Sequence, residues 1–335
     1  MQVDAEGFEY PVKDNERCIS CGACQKVCPA YFDVKSEFNR TYTLKAVSKE
    51  LLQKSSSGGA FSLISETFLA WGGLVCGAAY DNNFKVMHIL SSDISHMRKS
   101  KYVQSDLKTA IPMVSDALKA GKKVLFSGTP CQCHAMKLLF SEYSSLFYTL
   151  SVVCRGVSSP KFWQKYLEYI SLSNGELSSL DLRDKTHGSH GRYVSYKFDN
   201  DTKIVTKPLT DDAFMNIYTK TLSLRPSCHT CKYTCPDNDF DFTIGDAWNK
   251  NGDIDNDDGL GKSIVIVHTS RAAEIMETLE SKASITESGE NFELQPALCS
   301  PAAETILRKL FFKDLAQNTP MDIIVKKYGT GLKHI

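Results

Sequence analysis

Four of the twelve residues from 18 to 29 are cysteines, and their spacing is the feature of this chain best able to do chemistry. Cys18, Cys21, Cys24 and Cys28 stand ahead of Pro29 in a Cys-x2-Cys-x2-Cys-x3-Cys-Pro run. That run suits a four-iron, four-sulfur cube, because spacers of two or three residues let the backbone coil round the cluster and send successive thiolates to different irons. Gly22 and Ala23 keep the inside of the wrap small, and Pro29 turns the chain away. Four thiolates also suit zinc, but zinc knuckles usually use two separated Cys-x-x-Cys pairs. Disulfides fit poorly, since spacings this tight cannot all reach bridging geometry.

The spacing is that of bacterial ferredoxins, in which the fourth cysteine of one run serves the other cluster. Here there is one such run, and residues 1–11 upstream carry no cysteine. They resemble the hairpin that joins the two halves of a two-cluster ferredoxin, with the first half absent. Three readings stay open: the chain starts late, Cys28 is recruited locally to a single cluster, or a fourth ligand comes from elsewhere.

Bulk properties narrow the class. The 335 residues are 42% hydrophobic and 23% charged, which leaves ample core and suggests two or three domains. Formal net charge is +0, with no basic stripe, so nucleic acid is not an expected partner. No apolar run reaches membrane-spanning length, and the N-terminus lacks the basic and apolar regions of a secretory signal. Twelve cysteines without a signal point to a reducing, cytoplasmic compartment where thiols bind metal or react.

The elements that must position these groups alternate. Residues 45–54 read as a short helix and 60–69 as a second, after Ser55-Ser56-Ser57-Gly58-Gly59. Residues 74–80 read as a buried strand paired with 84–90 across an Asp81-Asn82-Asn83 turn. A helix over 111–120 ends at Gly121, and strands follow over 122–127 and 146–154. A helix starts at Pro160, a hairpin pairs 193–198 with 204–207, and 210–224 is helical. Strands over 242–246 and 263–268, a helix over 271–282 and helices within 302–328 complete the chain. The expected fold is α/β, with a mixed α+β core and a small N-terminal ferredoxin-like iron–sulfur module over residues 1–40. A module of that size is too small to fold without its metal.

Three loops offer ligand chemistry. In Lys54-Ser55-Ser56-Ser57-Gly58-Gly59 the glycines let amides approach an anion, the serines add donors, Lys54 adds charge, and a helix N-terminus follows. This reads either as a phosphate cradle or as a plain helix cap. Lys101-Tyr102-Val103-Gln104-Ser105 could hydrogen-bond and stack on a flat heterocycle, or be a surface strand. Gly128-Thr129-Pro130 follows a strand, where α/β folds expose ligand loops. His187 and His190, in a glycine-rich stretch, could move protons, although a solvated loop is the simpler reading. The acidic stretch 253–259 fails as a calcium loop, with its glycine one position late and no closing glutamate.

Taken in order, Lys54 to Gly59, Lys101 to Ser105, Ser127 to Gln132, Cys154-Arg155-Gly156-Val157-Ser158-Ser159-Pro160, Leu182-Arg183-Asp184-Lys185, Leu224 to Cys231 and Ile244-Gly245-Asp246-Ala247-Trp248 resemble the beta subunit of coenzyme F420-dependent hydrogenases and dehydrogenases. The resemblance spans roughly residues 15–300. It implies a domain over 41–125, a second over 126–300 and a helical tail over 301–335. It also implies an oxidoreductase in which FAD exchanges hydride with coenzyme F420 or NAD(P)H and one or two 4Fe-4S clusters carry single electrons to a redox partner protein or a small-molecule substrate. Some members of the family come from polysaccharide gene clusters, so that biosynthetic role is an expectation too. Other expectations are an F420-using subunit of a hydrogenase or formate dehydrogenase complex, and a non-catalytic electron-transfer or scaffold protein. By the same resemblance the Ser-Gly loop and the 101–105 and 128–130 loops hold FAD. Cys131, Cys154, Cys228 and Cys231 form a second cluster site, with Cys235 as an alternative to Cys131 or Cys154. Cys133 has no assigned role, and Cys76 and Cys299 read as structural.

Overall fold

The computed structural model describes residues 1–33, 39–187, 192–199, 204–248, 258–288 and 295–330. Residues 188–191, with His190, and 253–257 of the acidic stretch therefore lie outside the described residues.

Eight strands form one mixed sheet. They are β3 (Arg40–Ala46), β4 (Leu74–Tyr80), β5 (Val86–Ser91), β6 (Val124–Gly128), β7 (Phe147–Val152), β11 (Phe242–Asp246), β12 (Ser263–Val267) and β13 (Ala283–Ser288), in the order β13-β3-β12-β11-β7-β6-β4-β5. The central run β4, β6, β7, β11 is parallel throughout, and the outer pairings are antiparallel. Every residue of β6 and all but the last of β7 are buried, as expected for parallel strands covered on both faces.

Alternation along the strands assigns those faces. Leu125 and Leu150 pack with α3 (Ala60–Ala70) and α8 (Ser270–Glu277). Val124, Phe126 and Phe147 pack with α4 (Ala110–Lys119) and α5 (Pro130–Leu139). The helices start where their sequences say they should. Thr129 and Gln132 form a capping box ahead of α5 with Pro130 in its first turn, and the Ser159 hydroxyl caps α6 (Pro160–Asn174) by accepting from the Phe162 amide.

A third core packs α6 and α7 (Ala213–Thr219) with α9 (Ile306–Ala316), α10 (Met321–Tyr328) and a second sheet. That sheet contains β8 (Leu177–Asp184), β9 (Tyr193–Phe198) and β10 (Ile204–Pro208), all antiparallel.

Three expectations need correction. Residues 45–54 are not one helix: β3 runs to Ala46, and α2 (Lys49–Gln53) starts after Ser48, whose hydroxyl accepts from the Leu51 amide. The segment Arg40-Thr41-Tyr42-Thr43-Leu44 is strand because β12 and β13 flank it, a pairing that local propensity cannot reveal. The boundary at residues 125/126 falls inside β6, so the two expected main domains share a sheet. Nor does the start of the chain, which leads to the single-turn helix α1 (Ala23–Lys26), stand apart. After the short strands β1 (Gln2–Val3) and β2 (Glu9–Tyr10) have paired, Phe8 is fully buried in the third core against Phe312. The Arg308 guanidinium, itself buried, clasps the Glu6 carboxylate and donates to the Leu224 carbonyl. Gly7, with φ +91°, lets the backbone pass against Lys161 where a side chain would collide.

Two imidazoles are locked in as neutral struts. His88 on β5 stacks on Phe126, and its two nitrogens meet the Ser127 carbonyl and the Ser105 hydroxyl. His268 bridges Thr243 and Asn39. Burial pushes both down to about 4. From about pH 6.5 down to pH 4 the unfolded chain therefore binds a proton at each that the folded chain refuses. Stability should fall as pH falls through that window, by up to about 1.4 kcal/mol per pH unit for each histidine. Urea midpoints measured across the window should show this slope, and His268→Gln should reduce it by one histidine's share.

Candidate functional site

A cavity of about 970 Å³ opens where the parallel strands end, large enough for a dinucleotide-sized ligand. Its floor comes from the C-terminal ends of β6 (Ser127, Gly128), β7 (Val152 and on to Gly156) and β11 (Ile244 to Asp246). Its roof comes from Tyr193, Pro208, Tyr218 and Thr219 of the second sheet and α7. Ser55, Ser56, Ser57, Gly59, Lys101, Tyr102, Ser105, Gly128 and Thr129 all line it. Lys54, Gly58, Gln104 and Pro130 do not. Lys54 pairs with Glu50, Gly58 faces the backbone of β3 and β12, Gln104 is bonded twice to the Glu9 backbone, and Pro130 opens α5.

The Ser-Gly loop is shaped by a buried lysine that never reaches the cavity. The Lys185 ammonium donates to the carbonyls of Leu52, Ser57 and Leu260, and Ser57 Oγ donates to the Lys262 carbonyl. The loop carbonyl of Ser57 is thereby turned inward. Among the described residues, no protein acceptor meets the amides of Ser56, Ser57, Gly58 and Gly59. These donors precede α3, whose dipole adds positive potential at the same point, so the loop can bind an anion.

Lys101 plays a similar part. Its ammonium lies 2.5–3.2 Å from the carbonyls of His96, Met97, Arg98 and Lys99, and burial pushes its pKa down to about 7. Its hydrogens are thus engaged by its own loop rather than held out to a ligand. Tyr102, at φ +56°, presents its ring to the cavity against Tyr218 and takes a hydrogen bond from Arg183 at 3.2 Å.

Arg183 had a motif but no role in the sequence. It lines the cavity, bonds Asp246 through both terminal nitrogens at 3.1 Å and reaches the Ser56 carbonyl, so it joins three of the quoted motifs. His88 carried no signal at all. Its partner Ser105 accepts from the Gln132 amide, whose oxygen accepts from the Thr129 amide and hydroxyl, and this chain fixes the Gly128–Thr129 turn.

Four thiols collect beside the cavity. Cys131, Cys154, Cys228 and Cys231 come from the start of α5, the end of β7 and the 226–231 segment, and each lies within electrostatic range of the other three. The amides of Gly156, Val157 and Tyr233 favour the charged forms of Cys154, Cys228 and Cys231 and partly offset their burial, and the Thr129 hydroxyl is 3.3 Å from the sulfur of Cys131. Burial pushes the Cys154 thiol well up, Cys228 to about 11 and Cys231 upward. Iron binding at this group must therefore displace protons. Among the described residues no three Cys, His, Asp or Glu side chains stand close enough to hold one metal ion. Four thiols are the right number and chemistry for a cube, which spreads its thiolates wider than a single ion does.

Cys235 lies near Cys231 and turns toward the Lys232 carbonyl and Asn238. Cys133 is buried against the Gly128 carbonyl, Cys76 is buried in β4, and Cys299 is exposed.

The N-terminal run sits next to this group. Ser20 (φ +55°) and Gly22 (φ +72°) coil the loop, leaving Cys18, Cys21 and Cys24 exposed and Cys28 half-buried. Cys28 lies near Tyr233, which also faces Cys131 and Cys231 and bonds His134 at 2.7 Å. The Lys232 ammonium ties the run to this segment by reaching the Phe32 carbonyl.

Residues 121–291 match the family described as coenzyme F420 hydrogenase/dehydrogenase, C terminus of the beta subunit. The chain belongs to that family. Residues 9–30 match a 4Fe-4S binding domain, which covers the N-terminal cysteine run. Family membership makes this an oxidoreductase with an iron–sulfur domain. No curated protein matches the chain. Among solved structures it is similar to a chain of the F420-reducing [NiFe] hydrogenase complex from Methanosarcina barkeri, with 19% identity, 90% of this chain and 96% of that chain covered, and a TM-score of 0.51. At that identity the likeness speaks for the mixed α/β fold. No helix among the described residues is long and apolar enough to cross a membrane.

The loop's dependence on close packing can be measured. A Cβ on Gly58 would lie 2.2 Å from the Leu44 carbonyl oxygen and 2.5 Å from the Ser263 amide. Gly58→Ala should therefore cost about 2 kcal/mol or more of stability, read as a lowered urea midpoint, whereas Gly72→Ala adds a Cβ with nothing near it and should cost less despite its positive φ.

Proposed function

We propose that this chain is the subunit that converts hydride equivalents into single electrons, holding FAD in the 970 Å³ cavity and 4Fe-4S clusters at its two cysteine groups. One observation carries the reading: Cys154, a member of the four-thiol group, also lines the cavity. A flavin held there by the cavity residues would supply hydride exchange with a two-electron carrier and single-electron exchange with a cluster held at the thiols.

The chain's own residues divide the work. The unmet amides of the Ser56–Gly59 loop suit the diphosphate, and Arg183, held by Asp246, brings positive charge to the cavity wall. The roof of Tyr193, Pro208 and Tyr218 limits water. Cys131, Cys154, Cys228 and Cys231 suit the inner cluster. Cys18, Cys21, Cys24 and Cys28 suit an outer one, with Tyr233 between the two groups. The exposed side of the outer run is where electrons would pass to a redox partner. Coenzyme F420 is the favoured hydride carrier, because the family and the hydrogenase complex of similar fold both carry its name.

The test is oxygen-free reconstitution. The protein should carry one flavin and about eight irons per chain, and Cys154→Ser should lower the iron to about four. With reduced F420 as donor and a viologen as acceptor, the intact chain should turn over, while the Cys154→Ser variant keeps its flavin but passes electrons poorly. Iron without flavin would leave a simple electron-transfer module and sink the hydride role.

A further inference from the structure

We propose that Tyr218 is a positioning residue that raises the reduction potential of the inner cluster by polarising one peptide group. The proposal rests on the reading of Cys131, Cys154, Cys228 and Cys231 as the ligands of that cluster.

The Tyr218 hydroxyl donates to the Gly156 carbonyl at 3.2 Å. That carbonyl and the Val157 amide are two ends of the same peptide unit, which runs beside Cys228, and the Val157 amide favours the charged form of the Cys228 sulfur. A donor on the oxygen shifts electron density along the peptide and makes its N–H a stronger donor in turn. Reduction adds one electron and no proton to the cluster, and its charge spreads onto the sulfurs. A stronger N–H to sulfur therefore favours the reduced form and raises the potential.

The geometry leaves this peptide little freedom. Tyr102 and Arg225 pin the strap on either side, since the Ser158 amide donates to the Tyr102 carbonyl at 2.9 Å and the Arg225 amide to the Val157 carbonyl at 3.0 Å. Gly156 sits at φ +146°, and a Cβ there would lie 2.8 Å from Leu224 and 3.1 Å from the Cys228 Cβ. The peptide is thus pressed onto Cys228 by a residue that must be glycine. The same Tyr218 ring faces the cavity and packs against Tyr102, with centroids 4.9 Å apart. One side of Tyr218 meets whatever fills the cavity, while its hydroxyl meets the peptide beside the thiols.

The test uses the full chain, reconstituted with iron and sulfide under argon and followed by potentiometric EPR. Cys228→Ser identifies the inner cluster's signal by removing it. In Tyr218→Phe, iron should stay at the wild-type level and the outer cluster's midpoint should not move. The inner midpoint should shift negative, so that its reduced-to-oxidised ratio at a fixed poise falls by about 1.3-fold to fivefold, the worth of strengthening one charge-assisted hydrogen bond by a tenth to a third. An unchanged inner midpoint with full iron overturns the proposal. So does loss of the inner iron, which would make Tyr218 a packing residue, or an equal shift of both midpoints. A wild-type chain whose iron is indifferent to Cys228→Ser instead overturns the ligand assignment itself.

Discussion

The C-terminal ends of β6, β7 and β11 must lie side by side, and nearly everything at the site follows from that constraint. Parallel pairing puts Gly128, Val152 and Asp246 at one edge of the sheet. The loop after each strand then enters the same space. Gly128–Thr129 starts α5 and carries Cys131. The loop after β7 carries Cys154 and Gly156. Asp246 closes on Arg183 from β8. Slip one of these strands by a residue and its side chains change faces, so both helical layers would lose their core and the loops their meeting point.

Buried cations do much of the remaining shaping. Lys101 and Lys185 each spend an ammonium on main-chain carbonyls, and Arg308 spends a guanidinium on Glu6 and the Leu224 carbonyl. Burying a cation is tolerated only when its donors are met. Here most of the acceptors are loop carbonyls, which the buried cations draw inward. The result is a set of loops with their carbonyls drawn inward and, around residues 56–59, their amides left for a ligand. Positive charge at this cavity is therefore partly indirect, arriving as oriented amides rather than as lysine heads.

The two cysteine groups are joined by ordinary packing. Phe8 in the third core and the Glu6–Arg308 clasp anchor the start of the chain, and the Lys232 contact ties down the end of the outer run. The exposed loop carrying Cys18, Cys21 and Cys24 is therefore held from both sides, close to Tyr233 and the inner thiols. The fold thus fixes the two cysteine groups relative to each other by ordinary side-chain contacts.

The sequence alone determined what depends on neighbours in the chain. The Cys18–Cys28 spacing, the glycines of the 55–59 loop and the strand runs of β4, β6, β7, β11 and β12 are local patterns, and the residues themselves carry the reason for each. Family motifs extended that reach by naming Cys131, Cys154, Cys228 and Cys231 as one set, though nothing in their spacing required them to meet. Tertiary structure decided what depends on partners far away. β3 and β13 are strands because of each other and β12. Lys101 serves its own loop, and Gln104 serves Glu9 instead of the cavity. Arg183 finds Asp246 across 63 positions of sequence. Such contacts are set by the order of strands in the sheet, and periodicity along a chain records which face a residue belongs to but not which residue will stand opposite.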